Sequence, residues 1–248
     1  MTPKYTILTG ATGSIGFEIA RALTDCGEPI ILACRNTNKA NNARRQLLEE
    51  NPEANVLIEP MDLTSEDSVR SFVAHLQEKR VEVVGLINNA GVMNRRYVTD
   101  SQGREMTMVV NYLHTKLLTD LAVAAFPTLK RIVFTTSLTR HFIKRNPRLD
   151  VDKASFSQLG TYGRSKRAIT DYAASLCRAH SDILVNCADP GVVNTAMIHM
   201  DRWFDRLADW FFRPFIRSPK HGAIPAQKAY SSTTSGTIFC RHARHQLS

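Results

Sequence analysis

Long apolar runs are missing from this sequence, and none approaches the roughly 18–20 residues needed to span a bilayer. A β-type run begins at Lys4 with no apolar leader ahead of it, so no signal peptide is visible. Cysteine is scarce and scattered. Cys26, Cys34, Cys177, Cys187 and Cys240 form no Cys-x-x-Cys pair. Their odd number argues against a closed disulfide framework, and buried reduced thiols are expected. No cluster of His, Cys and Asp has metal-ligand spacing, so no metal is expected. Internal repeats, low-complexity tracts and Pro/Gly linkers are also lacking. The expectation is one soluble, cytoplasmic domain spanning residues 1–248.

What is present suits a globular chain. The 248 residues are 43% hydrophobic, which excludes a disordered or collagen-like chain. The formal net charge is +9, and it is unevenly placed. Residues 128–150 and residues 199–248 each carry a net +5. A basic excess suits nucleic acid, a membrane surface or an anionic ligand. No nucleic-acid motif or continuous basic stripe accompanies it, so no nucleic-acid partner is expected. The reading is a basic rim around a ligand mouth, begun by Arg140 through Arg148.

Short β-branched runs alternate with longer amphipathic stretches. Strands are expected at 4–9, 29–34, 55–59, 82–88, 130–137, 182–188 and 236–240. Helices are expected at 14–26, 39–50, 65–80, 102–108, 111–125 and 160–180. The strands are nearly continuous apolar runs, as in parallel strands covered on both faces. Alternation with helices gives βαβ units and an α/β, doubly wound parallel sheet. Ligands of such folds bind beyond the carboxyl ends of the strands.

The first strand runs into Gly10-Ala11-Thr12-Gly13-Ser14-Ile15-Gly16, which opens a helix. Glycines there permit a tight turn and a close backbone approach to a pyrophosphate, while the helix start supplies N–H donors. The second strand ends in Arg35 and Asn36 rather than in a carboxylate that would hold a ribose 2′-hydroxyl. A guanidinium suits a 2′-phosphate, so NADP(H) is favoured over NAD(H). After the third strand, Asp62-Leu63 offers a carboxylate to an adenine amino group. A helix-start role for Thr64 or Ser65 is equally open there.

Tyr162 and Lys166 are spaced i, i+4 at the start of a helix, so phenol and ammonium share a face. The neighbouring ammonium, together with an oxidised nicotinamide, would stabilise the phenolate and lower the phenol's pKa, fitting Tyr162 to general acid and base work. Ser137, at a strand's carboxyl end, could hydrogen-bond a substrate carbonyl.

These residues resemble the short-chain dehydrogenase/reductase family over essentially the whole chain. The matching motifs are the Gly-rich turn, Asp62-Leu63, Asn88-Asn89-Ala90-Gly91, Asn111, Ser137, Tyr162 with Lys166, and Pro190-Gly191 followed by Val193 and Thr195. The resemblance implies a single-domain Rossmann fold with about seven strands and helices on both faces. It implies hydride transfer between nicotinamide and an alcohol or carbonyl. The implied tetrad is Asn111, Ser137, Tyr162 and Lys166. Lys166 would also hold the nicotinamide ribose, and Asn111 would support a water in a proton relay. Asn89, Ala90, Gly91, Pro190, Gly191, Val193 and Thr195 would line the cofactor, Thr195 at the carboxamide. Ala33-Cys34-Arg35-Asn36 and the segments after Asn88 and Pro190 look like the retinol-dehydrogenase-like branch. That branch usually prefers NADP(H) and reduces lipophilic carbonyls. One departure is Ser14, which stands where short members usually carry the middle glycine. Gly-x-x-Gly-x-x-Gly is more typical of extended members, which act as epimerases and dehydratases. A non-catalytic NADP-sensing or interaction protein on this fold is the alternative from another class.

Both tryptophans fall in an aromatic, amphipathic stretch at residues 200–217. Its apolar face needs a partner. Three readings stand: packing on the domain itself, a lid over an apolar substrate within a loop at 192–220, and a weak membrane-surface contact. The resemblance also implies pairing as a homodimer or homotetramer, although the branch includes monomers.

Overall fold

The apolar runs pair side by side into one sheet. A computed structural model of the protein describes residues 3–191, 218–241 and 243–247. Its strands are β1 (Lys4–Thr9), β2 (Ile30–Cys34), β3 (Val56–Pro60), β4 (Glu82–Asn88), β5 (Arg131–Thr135), β6 (Leu184–Ala188), β7 (Thr237–Phe239) and β8 (Arg244–Gln246). Their spatial order is β3-β2-β1-β4-β5-β6-β7-β8. All pairs are parallel except β7 with β8, which is antiparallel. The strand order reverses between β1 and β4, so a crevice is expected at their carboxyl ends.

The helices are α1 (Ser14–Asp25), α2 (Thr37–Glu50), α3 (Glu66–Glu78), α4 (Met106–Met108), α5 (His114–Ala125), α6 (Gln158–Ala179) and α7 (Pro219–Ser231). Successive strand residues point to opposite faces, and each face has its own helical cover. Ile7, Ile31, Leu86, Ile132, Phe134 and Val185 meet Val69 and Phe72 of α3, Leu118 of α5, and Ile169 and Ala173 of α6. Leu8, Ile30, Leu32, Ile87 and Val133 meet Ile19 of α1, Leu47 of α2 and Ala226 of α7. Two-sided cover explains why the strands read as continuous apolar runs. Among the described residues, no helix is long and apolar enough to cross a membrane.

The structure departs from expectation in four places. The sheet gains β8, whose three residues are all exposed and give no apolar signal. Residues 102–105 are not helical: Asp100 accepts from the backbone N–H groups of Gln102 and Arg104, forming a turn completed by Gly103 at φ +78°. Glu105 then caps the short α4 by accepting from Met108 N at 2.9 Å. The expected strand 130–137 ends at Thr135, and Ser137 caps a 3-10 turn at Leu138–Phe142. Finally, α7 takes the end of the expected 192–220 loop, with Ser218 as its N-cap and Pro219 in its first turn. Its buried stripe consists mostly of small residues, a weak hydrophobic signal. The remaining loop residues, including Val193, Thr195 and the stretch 200–217, lie outside the described residues.

Phe134 is fully buried and meets the Tyr172 ring edge-on, with centroids 5.8 Å apart. Phe134→Ala should therefore lower stability by about 3–5 kcal/mol, read as a lower urea midpoint in equilibrium unfolding.

Candidate functional site

The carboxyl ends of β1 and β4 are tied together by one side chain. Thr9 Oγ1 accepts from the backbone N–H groups of Asn89 and Ala90, both at 3.0 Å. Asn89 Nδ2 donates back to the Thr9 and Gly10 carbonyls at 3.2 and 3.4 Å. The chain then turns through Gly10 at φ +68°, where a Cβ would fall 2.8 Å from Ala90 Cα. At Gly16 a Cβ would fall 2.1 Å from the Gly10 carbonyl oxygen. No other residue would allow this helix-to-turn approach. Gly13 caps α1 without a side-chain hydrogen bond, and the first turn carries no acidic residue. Burial pushes the Cys34 thiol pKa up at the end of β2, and the backbone of Thr12 and Ala11 opposes the rise. The turn thus has neighbours on both sides. Ser14, Ile15 and Gly16 present a helix start suited to a pyrophosphate.

The other expected cofactor residues separate by their local work. Arg35 is exposed just beyond β2. Asn36 caps α2, its side chain accepting from Lys39 N at 2.9 Å. Asp62 Oδ1 accepts from both the N–H and the hydroxyl of Thr64 at 2.9 Å. Ser65, not Thr64, caps α3. The Leu63 carbonyl accepts from His114 Nδ1 at 2.8 Å. Gly191, at φ +72°, follows Pro190 and donates its N–H to Asp189 Oδ1 at 3.0 Å.

All four expected tetrad members gather beside this turn. Asn111 lies in a π-helical turn at Val109–Leu113, between α4 and α5. Its Oδ1 accepts from Val92 N, and its Nδ2 donates to the Val92 carbonyl, both at 2.8 Å. Nδ2 also donates to Ser165 Oγ at 3.0 Å, and Ser165 Oγ donates to the Tyr162 carbonyl at 2.7 Å. Ser165 was not singled out in the sequence, although it sits inside the Tyr162–Lys166 motif. Asn111 therefore fastens the segment after β4 to α6. Across the site, the Ser137 side chain acts on the Tyr162 phenol and opposes the rise that burial gives its pKa. Lys166 Nζ donates to the Thr135 carbonyl at 2.8 Å and stands 5.7 Å from the Tyr162 ring centroid. A Cβ on Gly91 would meet that ammonium at 3.3 Å, so Lys166 also faces the segment after β4.

Burial dominates the titration of this pair. Desolvation pushes the Tyr162 phenol up to about 12, with the Ser137 hydrogen bond opposing and the Asp189 carboxylate adding to the rise. In the protein alone, loss of water outweighs the lowering by Ser137, so the phenol lies above its ordinary value. Desolvation likewise pulls Lys166 down to about 8.

The expected basic rim also needs correction. Arg140 is buried and paired with Asp189, so it belongs to the interior. Lys144, Arg145 and Arg148 are exposed.

A profile described as short chain dehydrogenase matches residues 4–203. The WW domain-containing oxidoreductase of Gallus gallus is 30% identical over 249 residues, covering 95% of this chain and 59% of that protein. Polyprenol dehydrogenase of Homo sapiens is 33% identical, covering 89% of this chain and 70% of that protein. Retinol dehydrogenase 13 of Homo sapiens is also 33% identical, covering 90% and 70%. The chain thus spans less than two thirds of the first of these relatives. Among solved structures, an NADPH-dependent reductase of bacilysin biosynthesis superposes with a TM-score of 0.79 at 16% identity, covering 96% of both chains. Levodione reductase superposes with a TM-score of 0.75 at 18% identity, again covering 96% of both chains. These two structures speak for the fold alone. With the profile spanning most of the sequence, the chain belongs to the short-chain dehydrogenase/reductase family and resembles its retinol-dehydrogenase-like branch.

Proposed function

We propose that the chain is an NADP(H)-dependent oxidoreductase acting on an alcohol or carbonyl of a lipophilic substrate, with Tyr162 as general acid and base. The observation carrying this reading is the convergence of Ser137, Tyr162 and Lys166 beside the segment after β4, which also packs on the glycine turn. When bound, the nicotinamide supplies the hydride-transfer chemistry. The turn fits its pyrophosphate because Gly10 and Gly16 allow the tight packing that sets the α1 helix start, with its free N–H groups, at the strand end.

The chain's own groups handle the proton. During reduction, Tyr162 Oη gives its proton to the oxygen of the forming alkoxide. Ser137 Oγ hydrogen-bonds the same oxygen and holds the phenol in line. Lys166 is fixed by the Thr135 carbonyl and places positive charge beside the phenol ring, which favours the phenolate. Asn111 and Ser165 keep α6 seated against the segment after β4. In the oxidation direction the phenolate accepts the proton.

Support for NADP(H) is the exposed Arg35 beyond β2, with no carboxylate at that strand end. Support for a lipophilic substrate comes from exposed apolar side chains near the site in sequence. Leu138 and Phe142 lie in the turn after Ser137, and Leu159 opens α6. The names of the polyprenol and retinol dehydrogenases point the same way.

Three measurements test the reading. Tyr162→Phe should reduce kcat by about 10²–10⁴-fold with cofactor Kd little changed, and full turnover in that variant would overturn the mechanism. Arg35→Glu should weaken NADPH binding by about tenfold or more while leaving NADH nearly unaffected. The pH profile has a defined sign. Tyr162 is protonated below about 12, so the acid for reduction is available throughout the neutral range. Lys166 is charged below about 8 and loses its charge above it, so kcat/KM for reduction should fall as pH rises through that value. Oxidation, which needs the phenolate, should instead gain from rising pH until Lys166 deprotonates. Reduction that accelerates through the Lys166 titration would contradict this assignment.

A further inference from the structure

Two charged side chains beside the site have no part in the mechanism above. Arg140 and Asp189 are separated by 49 residues and meet because β5 and β6 are neighbours. Their side chains are only 3% and 1% exposed. Arg140 Nη1 donates to Asp189 Oδ2, and also to the Ser137 carbonyl at 2.8 Å. Asp189 Oδ1 accepts from Gly191 N, while its own N–H donates to the Phe239 carbonyl at 2.8 Å. Thr136 N donates to the Ala188 carbonyl at 2.8 Å, closing the seam. One ion pair thus joins the backbone that carries Ser137, the turn at Pro190-Gly191 and the end of β7.

We propose that Arg140 and Asp189 are a positioning pair, holding Ser137 where its hydroxyl orients the Tyr162 phenol while presenting no net charge to the reaction site. This rests on the function proposed above. Neither residue touches substrate or cofactor in the proposal; both act through Ser137 and through their field. A buried ion pair seldom improves on an apolar pair of the same volume. Its place here answers a need that packing alone does not meet: a donor aimed at the Ser137 carbonyl, with its charge cancelled beside a phenol that must ionise.

The charges facing this region come from several elements. Lys166 faces Tyr162 from α6, and Asp189 from the end of β6. Cys187 of β6 lies in the fields of Arg140, Lys166, Asp189 and Cys177. His141, next to Arg140, is held down chiefly by desolvation, with Arg140, His245 of β8 and Arg167 of α6 also lowering it and Asp189 opposing. Breaking the pair must therefore act on Tyr162 with a sign. Arg140→Met leaves the carboxylate unopposed and disfavours the phenolate. Asp189→Asn leaves the guanidinium unopposed and favours it.

The test uses the full chain and two readouts. Tyrosinate absorbance after a rapid alkaline jump, with the Tyr162→Phe signal subtracted, reports Tyr162 without any substrate. Arg140→Met should move its midpoint up and Asp189→Asn should move it down, with the double variant Arg140→Met, Asp189→Leu returning towards the parent. Steady-state kinetics should show kcat falling about tenfold or more in the double variant with cofactor KM little changed, and Arg140→Lys restoring much of it. Shifts of equal sign in the two single variants, unmoved midpoints, or a double variant with parental kcat would overturn the proposal. If the single variants do not fold, the double variant decides by its kcat. If the parent chain turns over no alcohol or carbonyl, the function reading fails, while the titration still judges the pair.

Discussion

The Thr9 hydroxyl is the point on which the site depends. It accepts two backbone hydrogen bonds from the segment after β4, and Asn89 returns two to the end of β1. These bonds span the place where the strand order reverses, just beyond the last ladder pair of β1 with β4, Leu8 with Ile87. Without them Gly10 would not lie against Ala90, and the Gly16 approach to the Gly10 carbonyl would lose its support. The same tie fixes Val92, whose backbone holds the Asn111 amide. Through Ser165, Asn111 then seats the helix that carries Tyr162 and Lys166. The glycine turn and the helix that carries Tyr162 and Lys166 share one anchor.

Desolvation sets the electrical character of that helix. It raises the phenol and lowers the ammonium, so each neutral form is favoured. A site that must hold a phenolate briefly has to recover this cost with local charge and hydrogen bonds. Ser137 and Lys166 provide both. The nearby Asp189 carboxylate works against the phenolate, and its pairing with Arg140 limits that penalty. In the proposed mechanism, poise would be a balance between burial, which excludes water, and a few aimed donors.

Much of this was legible in the sequence. Continuous apolar runs announced a sheet covered on both faces, because the buried apolar strand residues fall into one of two clusters shared with helices. The glycines at 10 and 16 and the Tyr162–Lys166 spacing are local patterns, readable without knowing the fold. What escaped depends on non-local geometry. Arg140 and Asp189 meet only because β5 and β6 pair, and nothing in a basic stretch marks one arginine as interior. The π-helical turn at Asn111 follows no periodicity that could be counted. The turn at Asp100–Arg104 was masked by residues that also suit a helix. The small-residue face of α7 carries too little apolar weight to stand out, yet it packs closely on the sheet.

The charge distribution shows how formal counts mislead. Within residues 128–150, Lys130 pairs with Asp182, and Arg131 donates to the carbonyls of Tyr230 and Ser232. Arg140 is neutralised inside the fold, and Arg148 lies near Asp150. Three of the six basic residues are thus tied to other segments of the fold, and a fourth has a local carboxylate. An exposed pair such as Lys130 with Asp182 contributes little to stability and is screened by salt, whereas the buried pair is screened much less. Arg35, Lys144 and Arg145 are exposed, so a field that draws in an anionic cofactor could draw on them but not on the buried Arg140. The buried arginine contributes to the site instead by what it holds.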